Sequence, residues 1–342
     1  MNMDFALLIE WVVKSIVLIV ILLTGFAYLT YMERKFLGRF QNRYGPNRAG
    51  PLGLLQPVAD GVKLIFKEEL IPDKADKLIF VAAPIITSVP AWVLLAVIPF
   101  GGVVNLFGRP IDLSVAGNVN TGVLYISAIT SISVYGIVLA GWSSNNKYAT
   151  MGGIRSSAQM ISYELALGLS FIGPILMAGS MSLEKIVEAQ QRVGWFALYQ
   201  PFGFIVFLIA ALAEINRSPF DMPEAEQELT AGYHVEYSGM KFALFMLTEY
   251  TKMIVVSVIG ATLFLGGYDI PFISNPGWFG PLALFLKTVI LLFGIIWVRA
   301  TFPRFRYDRL MAFGWKIMLP VALFSVFLTS ILVVLFPGLA PV

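Results

Sequence analysis

The sequence predicts an all-α polytopic membrane protein of about eight transmembrane helices, with an amphipathic helix at about 52–68 and an acidic loop at about 214–238. Three observations lead there. Of 342 residues, 58% are hydrophobic and only 13% charged, roughly half the charge of an ordinary soluble domain. Mean hydropathy is +0.78. Apolar runs of about 20 residues, enough for a helix to cross a bilayer core, recur along the chain. No internal repeat or low-complexity tract interrupts it, so 1–342 reads as a single integral membrane domain.

The spans fall at roughly 11–32, 77–100, 120–142, 156–178, 195–215, 239–265, 281–302 and 315–336. Trp11, Tyr31, Trp142, Trp195, Trp278 and Trp315 stand near their ends, where amphipathic rings sit at headgroup level. The first run is not a cleavable signal peptide: Asp4 and Glu10 replace a basic leader, and no small-x-small site follows. Basic residues crowd alternate connections. Arg34, Lys35, Arg39, Arg43 and Arg48 lie in the first, Lys147 and Arg155 in the third, Arg217 and Lys241 in the fifth, and Arg299, Arg304 and Arg306 in the seventh. That bias places these connections in the cytoplasm and both termini outside. The outer connections carry Gly101-Gly102, Gly108-Arg109-Pro110 and Asn275-Pro276-Gly277, and read as simple turns.

Cysteine is absent and His234 is the only histidine. Iron–sulfur clusters, paired-histidine haem and most zinc sites are therefore excluded within this chain. Any electrons it serves travel on a partner's cofactors. There is no P-loop, dinucleotide fingerprint or nucleophile–histidine pair, and nothing points to nucleic acid. His234 has two readings: a group titrating near neutrality beside the acidic loop, or a packed structural residue.

From Leu52 to Glu68 the apolar residues Leu55, Val58, Val62, Ile65 and Phe66 recur at helical spacing, opposite a stripe of Gln56, Asp60, Lys63 and Lys67. Pro51 and Pro57 suit its start. Such a helix lies in the interface plane. It either rests on lipid or walls a site between membrane and cytoplasmic partners.

The fifth connection packs Glu214, Asp221, Glu224, Glu226, Glu228 and Glu236 around a single Arg217. Asp221-Met-Pro-Glu224 has the spacing of a capping box, and Gly232 is a plausible stop. Glu224 and Glu228 then share one helix face, where like charges repel mildly. A proton-sharing role, a basic partner and an ordinary solvated loop all fit that pattern.

Glu164, Glu214 and Glu249 fall inside spans. A charge at the bilayer centre costs about 2.5–3.5 kcal/mol on insertion scales, so such acids usually face a bundle interior or a hydrated path. For Glu249 an i, i+3 pair with Lys252 is the structural alternative. Glu214 has only Arg217 within a turn. Lys287, near the outer end of the seventh span, either snorkels or functions.

At this point the motifs match a family. Gly45-Pro-Asn-Arg48, Gly50-Pro-Leu-Gly-Leu-Leu-Gln56-Pro-Val-Ala-Asp60-Gly-Val-Lys63 and Phe66-Lys-Glu68 resemble the first signature of the H subunit of respiratory complex I, the proton-translocating NADH:quinone oxidoreductase. Arg217-Ser-Pro-Phe-Asp221-Met-Pro-Glu-Ala-Glu226-Gln-Glu228 is similar to the second, and Trp297-Val-Arg299 through Arg306-Tyr-Asp308 to the seventh connection. The resemblance covers about 10–336. It implies a subunit without its own redox cofactor, not catalytic in isolation, that anchors the hydrophilic arm. It also implies partners: the quinone-site and terminal iron–sulfur subunits, small membrane subunits, lipid, and quinone as interfacial substrate. Glu33, Arg34, Asp60 and Phe220 match the quinone-chamber region. Glu164, Glu214 and Glu249 match acids of the proton path, and Asp221, Glu224, Glu226 and Glu228 the coupling loop. Spans two to six are similar to half of an antiporter-like subunit.

The chain departs from the pattern where some members carry a glutamate in the third span; here Thr130 and Ser131 precede Val134-Tyr135-Gly136. Either a hydroxyl and water bridge that step or the path bypasses it. Lys252 is not carried over from the family. The implied location is a bacterial plasma membrane. Rival readings are the anchor subunit of a related membrane-bound hydrogenase, an independent cation/proton antiporter, and a passive scaffold. Co-purifying iron–sulfur subunits would separate the complex from a lone transporter.

Overall fold

Helix dominates because the chain has little else to satisfy its backbone within oil. The structure, a computed structural model, describes residues 5–106, 109–116, 119–222, 232–271, 277–336 and 338. Its helices are α1 Phe5–Phe40, α2 Gln56–Phe66, α3 Lys77–Val93, α4 Gly122–Ser143, α5 Lys147–Ala178, α6 Leu183–Val193 and α7 Phe196–Tyr199. They continue with α8 Pro201–Glu214, α9 Gly239–Phe264, α10 Gly280–Thr301, α11 Tyr307–Phe313 and α12 Leu319–Leu335. Among the described residues, seven helical stretches are long and apolar enough to cross a membrane, α11 and α12 counting as one.

The fifth expected span is shorter than the rest. α8 has 14 residues, about 21 Å at 1.5 Å per residue, against a hydrocarbon core of about 30 Å. The chain from Asn216 to Met222 is nevertheless buried. Irregular backbone at such depth is tolerated only inside protein. The short helix α7 fills the start of the expected range, α8 ends at Glu214 as expected, and a buried irregular segment follows it.

Two outer connections are more than turns, contrary to expectation. The second forms a hairpin, β1 Val103–Leu106 with β2 Arg109–Asp112, antiparallel with Val103 opposite Asp112. The fourth holds α6, whose Leu183, Ile186, Val187 and Gln190 are buried at helical spacing. Eleven residues with a polar face are too short and too charged for a pattern of spans to reveal.

Both faces are tied across connections. On the basic face, Asp76 N donates to Ser143 O (3.1 Å), Asn146 Nδ2 to Glu236 Oε1 (2.6 Å), Lys241 pairs with Glu69 (2.7 Å), and Phe305 N donates to Pro219 O (3.0 Å). On the other, Val123 N donates to Met181 O (3.1 Å) and Gly266 N to Gln190 Oε1 (2.8 Å). Lys287 Nζ donates to Gly267 O (2.8 Å) and Asp269 O (2.6 Å), so it fastens the loop after α9 instead of snorkelling freely.

Helices α3, α4 and α5 approach closely through small residues, as membrane helices do. A Cβ on Gly136 would lie 2.1 Å from Thr87 Oγ1, and one on Gly152 2.6 Å from Gly232 Cα. Gly232 has φ +60° and begins the turn that leads back toward α9. α1 instead shows most of its apolar surface outward; Leu22, Leu29 and Glu33 form its buried line. α2 buries no residue, and Val58, Val62, Ile65 and Phe66 are exposed, as an interfacial helix requires. Pro57 stands in its first turn, while Pro51 opens a separate 3-10 turn, Pro51–Gly53. Between α11 and α12, Gly314–Met318 forms a π-helical turn. There Tyr163 Oη donates to Leu310 O (2.9 Å) and Gly314 lies against the Tyr163 ring.

A buried charge cluster as candidate functional site

The site begins with how α8 ends. Asn216 takes φ +56°, and Arg217 N bonds back to Leu212 O (3.3 Å), a left-handed stop that asparagine tolerates. Gln159 of α5, fully buried, then secures the segment: its Nε2 donates to Ala213 O (3.0 Å) and Phe220 O (2.7 Å). The reversal turns Arg217 inward, where it is 3% exposed.

Arg217 joins two helices. Its Nη1 lies 3.6 Å from Glu33 Oε1 of α1 and its Nη2 3.6 Å from Glu249 Oε2 of α9. Its guanidinium sits 4.3 Å from the Tyr250 ring centre, a cation–π contact strengthened by desolvation. Arg299 of α10 also pairs with Glu33. Lys252 Nζ lies 3.6 Å from Glu214 Oε1 and donates to Ser133 Oγ at 2.8 Å. Three buried carboxylates thus face three cations. That balance is what allows ions in a low-dielectric interior, where an uncompensated charge is costly.

This pairing differs from the same-helix alternatives that the sequence leaves open. Lys252 takes Glu214 rather than its helix neighbour Glu249, and Arg217 takes Glu33 and Glu249 rather than Glu214. The reversal after α8 is the reason: Glu214 stands on its last turn, whereas Arg217 lies beyond the left-handed stop at Asn216 and turns back inward. Glu214, Glu249, Lys252, Thr87, Thr248 and Asn216 line a cavity of about 10 Å³, room for about one water.

Glu164, half-buried on α5, accepts a hydrogen bond from Ser131 Oγ of α4. That serine hydroxyl of α4 is therefore in direct contact with the acid of α5. Asp221 is 3% exposed and pairs with Arg304 (3.0 Å), with Ser218 Oγ donating at 3.4 Å. Whether it also caps a helix involves Glu224, which with Glu226 and Glu228 lies outside the described residues. Phe220 is packed between Tyr163 (5.6 Å) and Phe305 (5.8 Å). Arg34 Nη1 donates to Asp60 Oδ2 (2.6 Å) and Gln56 Nε2 to Asp60 Oδ1 (3.1 Å), joining α1 to α2 on an exposed face. Tyr237, stacked on Phe80 at 4.0 Å, has its phenol pushed by burial to about 12. His234 packs edge-on against Tyr233 (4.9 Å) and Phe242 (5.7 Å), which favours the structural reading.

The residues single out Glu214 and Glu249, the resemblance adds Glu33, and Arg217 and Lys252 stand out as nearby cations, but the pairing itself is not legible. Arg299 and Arg304 counted only as orientation charges, and Ser133 and Tyr250 carried no signal beyond a polar or aromatic residue at helical spacing. The usable signal was arithmetic: each acid inside a span requires a cation at similar depth.

Comparison with known proteins follows the same lines. A family profile described as NADH dehydrogenase matches residues 13–330. An H subunit of the NADH-quinone oxidoreductase of Geobacter metallireducens is 51% identical, over 97% of this chain and 98% of that protein. Its counterpart in Geobacter sulfurreducens is 51% identical over 95% of each. The H subunit of the Thermomicrobium roseum enzyme is 50% identical over 96% and 97%. With a buried lattice of carboxylates and cations behind an interfacial helix, and relatives matched over nearly their full length, the chain belongs to the NADH dehydrogenase family.

Proposed function

We propose that this chain works as a membrane subunit of an NADH-quinone oxidoreductase, walling the entrance of the quinone chamber and passing the effect of quinone reduction to protons in the membrane. The relatives' names support the complex. The charge cluster supports the coupling: Glu33 on α1, close to the α1–α2 junction, connects through Arg217 to Glu249, and Glu249 shares a cavity with Glu214 and Lys252.

In this reading Arg34, Asp60 and the exposed apolar side of α2 border the chamber, where an apolar quinone tail enters from lipid. Electrons arrive on iron–sulfur clusters of partner subunits, because the chain has no thiolates for one. Quinone reduction changes the charge near Glu33. The Arg217 bridge then shifts its balance between Glu33 and Glu249, and protons rearrange among Glu249, Glu214 and Glu164. Asp221, Glu224, Glu226 and Glu228 respond as a coupling loop. Phe220 holds that loop's root against Tyr163 and Phe305. The basic face is cytoplasmic, with both termini on the outer side of a bacterial plasma membrane.

The test uses the assembled complex in sealed membrane vesicles. Glu214→Gln and Glu228→Gln should each slow quinone reduction or lower the protons moved per quinone. Wild-type pumping in both variants would overturn the reading.

A further inference from the structure

One buried cation remains without a role in that scheme. Lys252 is 7% exposed, and its ammonium faces three sites: Glu214 at 3.6 Å, Ser133 Oγ at 2.8 Å, and the one-water cavity that Glu249 also lines. The contact to Glu214 is longer than a hydrogen bond, whereas the contact to the neutral hydroxyl is a good one. Ser133 Oγ in turn donates to Thr130 O (2.8 Å), which leaves its lone pairs toward Lys252. The ammonium is thus held by a neutral group beside Glu214, at the cavity that Glu249 also lines. A lysine has the flexible stem and compact charge that such an exchange needs, where an arginine fork would lock onto one carboxylate.

We infer that Lys252 is a mobile counter-charge shared by Glu214 and Glu249, parked on Ser133, that moves toward whichever carboxylate is ionised and thereby lets a proton pass between them. Lys252 keeps its own proton throughout. The transferred proton leaves one carboxylic acid, crosses the water-sized cavity and neutralises the other carboxylate, so one carboxylate is always ionised opposite the ammonium. Glu249 keeps Arg217 as its second partner during the exchange. The inference rests on the proposed function and assigns the positioning residue within it.

The assembled complex in sealed vesicles again provides the assay, with translocation normalised to complex content. Lys252→Met should lower the proton-translocation rate by about 10²-fold, the lower end of the cost of leaving a buried carboxylate without its counter-charge. Lys252→Arg, which keeps the charge, should recover part of that loss. Ser133→Ala tests the same device without leaving a buried charge unpaired; losing one hydrogen bond of about 1 kcal/mol should slow translocation about fivefold at unchanged quinone KM. Wild-type translocation in Lys252→Met, or in Ser133→Ala should Lys252→Met fail to assemble, overturns the inference, as does a Lys252→Arg no faster than Lys252→Met. If Glu214→Gln blocks pumping while these variants do not, only this inference fails. If Glu214→Gln itself pumps normally, the parent reading fails first.

Discussion

Arg217 Nη1 lies 3.6 Å from Glu33 Oε1, and both side chains are almost wholly buried. Because Arg217 also holds Glu249, it ties α1 to α9 through charge in the interior. Arg217→Leu removes one cation from two carboxylates. Breaking a buried pair from one side costs about 3–5 kcal/mol, so little assembled complex should be recovered from membranes. Arg217→Lys keeps the charge but cannot fork between two acids. It should assemble and pump below wild type, as measured on complex-normalised vesicles.

Glycine positions offer a control internal to one helix. A Cβ at Gly152 would sit 2.6 Å from Gly232 Cα, backbone that cannot swing away. Gly152→Ala should destabilise the purified complex by about 1–3 kcal/mol of overpacking, read as a lower thermal midpoint. Gly168, on the same α5, has nothing within 4 Å of its added Cβ. Gly168→Ala should be neutral or stabilising by about 1 kcal/mol, the helix-propensity difference.

The Arg34–Asp60 pair separates fold from function. Its side chains are 49% and 31% exposed, and pairs of that kind contribute about 0–1 kcal/mol. Asp60→Asn should leave assembly and thermal stability unchanged within that range. If Asp60 borders the chamber, the variant's quinone KM should still rise. A KM equal to wild type would remove Asp60 from the chamber.

Glu184 on α6 predicts a pH effect. Burial, then Asp112 and Glu188, raises its carboxyl above the ordinary carboxylate range. A carboxyl with a higher pKa folded than unfolded binds protons more readily in the folded state, so its contribution falls as pH rises through that window. Glu184→Gln should therefore raise the complex's thermal midpoint at neutral pH, and the gain should vanish at pH below the ordinary carboxylate value.

Much of this architecture is legible in the sequence. Eight spans are expected from apolar runs, and seven stretches long enough to cross a membrane stand among the described residues. Glu164, Glu214 and Glu249 stand out because carboxylates are expensive at such depth. Their partners do not, since a pairing depends on where other helices end. Glu249 and Lys252 are near neighbours on α9, yet each is claimed from a different side once α8 stops at Glu214. The hairpin and α6 also escape, because short amphipathic segments leave no span-like signature. At Ser131 the sequence leaves a hydroxyl bridge and a bypass both open, and its bond to Glu164 becomes visible only when α4 meets α5.

The wide turn at Gly314–Met318 sets a limit of another kind. One extra residue in a single helical turn offsets everything after it by about 100° around the axis. Ala322, Ser325 and Thr329 are directed into the protein by that offset, while Phe324, Phe327 and Ile331 meet the surroundings. Deleting one residue between 314 and 318 would remove that offset and turn the two hydroxyls away from the protein interior. In that stretch the number of residues is as much a part of the fold as their identity.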